Sequence, residues 1–175
     1  KDVQVVNVYL LYNKAYCEKL CSKLGIPNVY PGENKENQNV YMETLVKNLA
    51  QNSSQLPVYV ALTVDERYTK AVSENLYLIG LAYEYSKEKI DNVALLKKNL
   101  EHSYALDYLD ISFAPDHSAS TVALANTNYL VPFLTLYEHY VLSGEKEKAT
   151  FWKEKAKLVA HNSGMEESLK DYFKE

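Results

Sequence analysis

The final third of the chain limits the fold more than any other stretch. Over residues 122 to 142, and again over 146 to 160, apolar side chains recur at three- and four-residue spacing, and Ser143-Gly144 interrupts them. A further run, 165 to 173, follows the stop at Asn162-Ser163-Gly164. Two long helices joined by so short a turn have to pack antiparallel. Phe133, Leu136 and Tyr140 on the first helix and the small residues Gly144, Ala149 and Ala156 beyond the turn match most of a tetratricopeptide (TPR) unit, in which alanines let the helices approach closely. Lys153 and His161 depart from that pattern, and one such unit is present.

The front of the chain reads differently. Residues 3 to 11 (VQVVNVYLL) are β-branched and apolar on both faces, as in a buried, parallel-type strand. Asn13 caps a helix carrying Ala15, Tyr16, Leu20, Cys21 and Leu24, which Gly25 and Pro27 stop. Residues 31 to 38 form a polar loop, Val40, Leu45, Val46 and Leu49 mark a second helix, and Leu56 to Leu62 make a second strand begun by Pro57. A strand, two helices and a strand in one sheet form a right-handed parallel crossover. Residues 69 to 86 read as a helix ending near Gly80 and then a short strand. Asp91 caps a helix with Val93, Leu96 and Leu100 inward, and residues 112 to 120 are a loop. The expected fold is mixed and predominantly α: a small parallel βαβ-type head over 1–90, then a TPR-like antiparallel helical tail over 91–175, or the two as one continuous domain.

Composition removes several function classes. A net charge of -4 with a single arginine, Arg67, argues against nucleic acid, whose phosphates are read by clustered Lys and Arg. The longest apolar run falls far short of the ~20 residues that span a bilayer. Cys17 and Cys21, four apart on one helix, share a face without pointing at each other and read as free thiols. The chain opens directly in strand-like sequence without an initiator methionine, as an excised piece would.

The most site-like stretch is Asp107, Asp110, Asp116 and His117, three carboxylates and an imidazole able to hold a cation or share acid-base work. Capping and turn formation explain the same residues. His102, His117, His139 and His161 have no metal-ligand spacing, no glycine-rich phosphate loop follows residues 3–11, and no nucleophile elbow occurs. No cofactor is expected. Asn52-Ser53-Ser54 satisfies a three-residue glycosylation pattern that recurs by chance. The 16 tyrosines suit surfaces that are dry at one end and wet at the other. Tyr129, Phe133, Tyr137 and Tyr140, on the first helix of the pair, are the candidate peptide-groove residues, with core filling as their ordinary alternative.

Four segments in order carry a resemblance: residues 2 to 11, Leu56-Pro57-Val58-Tyr59-Val60-Ala61, Gly80-Leu81-Ala82-Tyr83, and the tail from Asn128-Tyr129 through Gly144 and Ala149. With these the chain resembles the C-terminal region of bacterial multipass membrane proteins related to transmembrane protein O-mannosyltransferases. Leu56 stands where that family usually has arginine. The resemblance implies a noncatalytic accessory domain on the extracytoplasmic, periplasmic face of a membrane glycosyltransferase. Its partners would be the membrane-embedded part of its own parent chain and acceptor proteins or peptides. A peptide-binding scaffold without any glycosyltransferase, and a small hydrolase using the Asp107 to His117 stretch, are the rival readings.

Overall fold

In a computed structural model of the protein, which describes residues 3–28, 30, 38–52, 57–110 and 119–173, the chain is mostly helical with a small three-stranded sheet. The strands are β1 (Val58–Ala61), β2 (Leu76–Leu78) and β3 (Ala82–Tyr85), antiparallel and ordered β1-β3-β2. The expected parallel crossover is therefore corrected. Residues 3–7 have no regular structure, with Val3 and Val5 exposed at 85% and 73%, and Val8–Tyr12 forms a 3-10 turn. The reason is local. The Asn7 side chain accepts from the Tyr9 N–H at 3.0 Å, and Asn13 accepts from Tyr16 at 3.1 Å, so two asparagines six residues apart start helical turns that compete with a strand.

The chain divides into two compact units: Lys1–Leu76 with Glu84–Lys89, and Tyr77–Tyr83 with Ile90–Glu175. The first holds α1 (Lys14–Leu24) and α2 (Gln38–Asn52). Gly25 ends α1 at φ 65°, and the Ile26 N–H reaches back to the Cys21 carbonyl at 3.0 Å, satisfying carbonyls that a helix end leaves open. The unit's core is Leu11, Leu20, Ile26, Met42 and Leu45 around Cys17, Cys21 and Tyr41. Burying each large apolar side chain contributes roughly 1.5–3 kcal/mol. The two cysteines are free, as expected, yet they do meet: their sulfurs lie 3.8 Å apart in the interior. The residues read as a loop over 31 to 38 lie outside the described ones except Gln38, which opens α2; Leu56, Ser53 and Ser54 also lie outside them.

The helix expected from 69 to near Gly80 is cut short. A single turn, α3 (Glu66–Thr69), passes into a 3-10 stretch, Lys70–Asn75, and the chain is extended by Leu76. Gly80, at φ 154°, turns β2 into β3, with the Ile79 N–H bonded to the Ala82 carbonyl at 3.1 Å. A conformation that suits only glycine lets the chain reverse where a helix was expected to end.

The second unit is built on α6 (Leu130–Leu142) and α7 (Lys146–Ser163), an antiparallel pair turning at Ser143-Gly144. Ala149, Ala156 and Ala160 are buried between them. The single long helix expected over 122 to 142 is interrupted: α5 (Ala119–Asn126) is followed by a 3-10 turn, Thr127–Tyr129, before α6. Pro132 supplies no N–H for the carbonyl four residues earlier and its ring crowds it. Thr127 and Asn128 turn their side chains onto the Leu124 and Ala125 carbonyls at 2.6 and 2.8 Å, completing the break. Asp91 caps α4 (Asn92–Lys97) through the Ala94 N–H at 2.9 Å, as expected, and α4 runs on into a π-helix, Lys98–Ser103. Beyond α7, α8 (Glu166–Leu169) and a 3-10 turn, Lys170–Phe173, close the described chain.

Several phenols are held in their neutral form. Burial raises Tyr129 and Tyr140 above the ordinary tyrosine range, and burial together with the Tyr68 hydroxyl, 2.9 Å away, pushes Tyr12 up to about 12. An unfolded tyrosine ionises near pH 10. The folded chain therefore retains protons that the unfolded chain gives up. This stabilisation is complete below pH ~10 and is lost as pH rises toward the folded values, at up to ~1.4 kcal/mol per pH unit for each such tyrosine. Urea midpoints measured at pH 9, 10 and 11 should fall steeply over the last interval, and Tyr12→Phe should make that fall shallower.

A candidate binding cleft on the second unit

Sequence and π-helix together shape one side of this unit. A π turn holds one residue more per turn than an α turn and recurs at functional sites. Here it ends where the Tyr104 N–H bonds to the Asn99 carbonyl at 2.8 Å, five residues back. The extra residue swings Leu100, Glu101 and Tyr104 to one side, opposite the α7 residues Glu147, Lys148, Phe151, Trp152 and Lys155, which recur every three or four positions and so share a face. With Leu106, Asp107 and Asp110 from the adjoining 3-10 turn, they line a cleft of about 560 Å³, the size of a site for a small ligand or a few peptide side chains.

The floor is aromatic. Trp152, the only tryptophan, is buried, meets Phe133 at 5.2 Å between ring centroids and touches the edge of Phe151 at 5.0 Å. Phe151 itself is 51% exposed. Around it stand four carboxylates and two ammonium groups, unequally engaged. Asp110 takes the Lys155 ammonium on both oxygens at 2.7 Å, and Lys155 has only 13% of its side chain exposed and leans on the Phe151 ring. Lys148 is paired with Glu145 at 2.8 Å, which holds the Glu145 carboxyl below its usual range. Glu101 accepts from the Tyr140 hydroxyl, while Lys97 and Lys148 lie 5.1 and 4.9 Å from that ring's centre. The carboxylates of Asp107 and Glu147, both exposed, have no ion pair or hydrogen bond among the described residues and leave the rim acidic.

Asp107 and Asp110 are thus the two expected site residues that reach the cleft. Asp116 and His117 lie outside the described residues. Among the described residues, no group of three or more His, Cys, Asp or Glu side chains converges as a metal site requires. His102 is exposed, His139 stacks edge-on against Tyr140, and His161 pairs with Glu166, so these imidazoles stay apart. The expected groove residues lie elsewhere. Tyr129, Phe133 and Tyr140 are buried in the core, Tyr129 stacked on Phe133 at 5.4 Å, and Tyr137 packs on Phe173 at 6.2 Å. Three aromatic rings spaced along the inner face of a helix pair remove more apolar surface from water by filling the interior than by lining a wet groove. The cleft residues of α7 were legible only as a 3-4 spacing around the lone tryptophan. Glu101 and Tyr104 left no sequence signal, because a π turn has none.

No helix of the described chain is long and apolar enough to cross a membrane. Comparison with protein families, with curated proteins and with solved structures finds no match to this chain.

Proposed function

We propose that the chain is a noncatalytic accessory domain of a membrane glycosyltransferase resembling the protein O-mannosyltransferases, standing on its extracytoplasmic side and receiving an extended stretch of the acceptor polypeptide. The glycosyltransferase connection rests on the resemblance of the four ordered segments to that family. The binding role is supported by one observation: a cleft beside a TPR-like helix pair, with an aromatic floor and two unengaged carboxylates at its rim. An exposed phenyl ring next to unpaired carboxylates suits a lysine or arginine side chain, which brings an apolar stem and a cationic head. Its carboxylates that do have partners are committed to holding the site in shape, Asp110 through Lys155 and Glu101 through Tyr140.

Because the only tryptophan forms part of the floor, its emission reports occupancy directly. Titration with short lysine-containing peptides should shift that emission saturably. Glu147→Gln should weaken binding by about 5- to 10-fold, the ~1–1.4 kcal/mol of a partly exposed charge contact. Acidic peptides and mannosides should leave the emission unchanged; a response to mannosides alone would replace the acceptor by the sugar as the ligand. Mass spectrometry of exported glycoproteins from cells whose parent gene lacks the segment tests the enzyme connection. Glycans that persist unchanged, alongside peptide binding, would make the independent scaffold the better reading.

A further inference from the structure

The thiols of the first unit are arranged in a way that packing alone does not require. Cys17 and Cys21 sit on one face of α1 with their sulfurs 3.8 Å apart, and Met42, whose thioether is also soft, is fully buried in the same cluster. Polar groups surround the pair: the Tyr41 hydroxyl donates to the Leu11 carbonyl at 3.1 Å and lies 2.8 Å from the Cys17 sulfur, and the Cys17 thiol is 3.7 Å from the accepting Asn28 Oδ1. We propose that Cys17 and Cys21 bind one soft monovalent d10 cation, Cu(I) or its analogue Ag(I), as a two-coordinate bis-thiolate.

Two alternatives fit the geometry less well. A disulfide needs Cβ atoms about 3.5–4.5 Å apart, whereas side chains four apart on a helix start from Cβ atoms about 5–6 Å apart, so oxidation would distort α1. Zinc wants four ligands, and no third His, Cys, Asp or Glu joins the pair among the described residues. A bridging ion instead asks the sulfurs to separate. At the metal–thiolate bond length of ~2.3 Å known for zinc, a linear unit spans about 4.6 Å, under 1 Å more than the present spacing and within reach of small χ1 changes. Thiolate and thioether ligands favour Cu(I) over harder ions. Loading releases both S–H protons to water as two metal–sulfur bonds form, and no electron is transferred. The Tyr41 hydroxyl can then turn from the Leu11 carbonyl onto the Cys17 sulfur and meet the new negative charge. The exposed residue Asn28, whose Oδ1 lies 3.7 Å from the Cys17 sulfur, marks how thin the cover over the pair is.

Anaerobic titration of the reduced chain with Cu(I) against a competing chelator such as bicinchoninate should give one tightly held ion per chain, with near-ultraviolet thiolate-to-copper absorption. Cys17→Ser and Cys21→Ser should each weaken binding by more than about 100-fold, beyond the loss expected from a mere supporting residue. A measurement on the unmodified chain covers the case in which a variant fails to fold: Cu(I)-loaded protein in mild urea should resist alkylation at both cysteines, whereas the metal-free protein is alkylated at both. Absence of stoichiometric uptake, equal uptake by the double serine variant, or full alkylation of loaded protein would each overturn the proposal.

Discussion

Trp152→Ala should destabilise the second unit by about 3–5 kcal/mol, the usual cost of truncating a large buried aromatic. Trp152 is 2% exposed and lies between Phe133 in the α6–α7 core and Phe151 at the surface. Its removal leaves a void that α7 cannot close, because Ala149 and Ala156, on either side along the helix, already bring the two helices close. The measurement is urea unfolding followed by far-ultraviolet circular dichroism, since the variant has no tryptophan left to report by fluorescence. Trp152→Phe keeps a ring against Phe133 and should recover most of the loss. A cost below about 1 kcal/mol, the scale of an ordinary substitution, would mean that the aromatic stack does not hold the unit together.

Gly80→Ala should cost about 2–4 kcal/mol through two effects that can be separated. A Cβ on Gly80 would come within 2.5 Å of the Tyr104 hydroxyl oxygen and 3.1 Å of its Cζ, so the ring has to move. Overpacking of this kind costs about 1–3 kcal/mol. The backbone, at φ 154°, is also one that an L side chain rarely adopts, which adds roughly 1 kcal/mol or more. Tyr104 lines the cleft and closes the π-helix, so displacing it should weaken peptide binding as well. In a double-mutant cycle with Tyr104→Leu, the steric part should appear as a coupling of about 1–2 kcal/mol. Additivity to within about 0.5 kcal/mol would assign the whole cost to the backbone and would remove Tyr104 from the explanation.

Where one residue acts on its own neighbours, the chain was readable. Asn13 and Asp91 cap the helices they were expected to cap, Gly25 ends α1, and the Ser143-Gly144 turn separates α6 from α7. Where two local signals compete, periodicity alone does not say which wins. The β-branched run over 3 to 11 favours a strand, but the Asn7 side chain starts a turn there and excludes it. Pro132 stands inside a continuous apolar pattern, but its missing N–H breaks the ladder whatever the periodicity. The charge of Asp107 and Asp110 marks them in the sequence, and both reach the cleft as part of a rim around aromatic side chains. Tyr129, Phe133 and Tyr140 suit a groove or a core equally in one dimension, since amphipathic rings on an inner helix face satisfy both descriptions, and they fill the core.

The helical character, the antiparallel α6–α7 pair, the Asn13 and Asp91 caps and the free state of the two thiols are all legible in the order of residues. Each follows from contacts within about four residues along the chain, where spacing is geometry. The tertiary structure alone decided that the sheet is antiparallel, that a π turn carries Glu101 and Tyr104 to the cleft, and that Gly80 must be small because a ring twenty-four residues later lies against it. It alone decided that the Cys17 sulfur meets both the Cys21 sulfur and the Tyr41 hydroxyl. Contacts between residues distant in sequence depend on which faces meet once the core closes, and periodicity records that a face is buried but not what it is buried against.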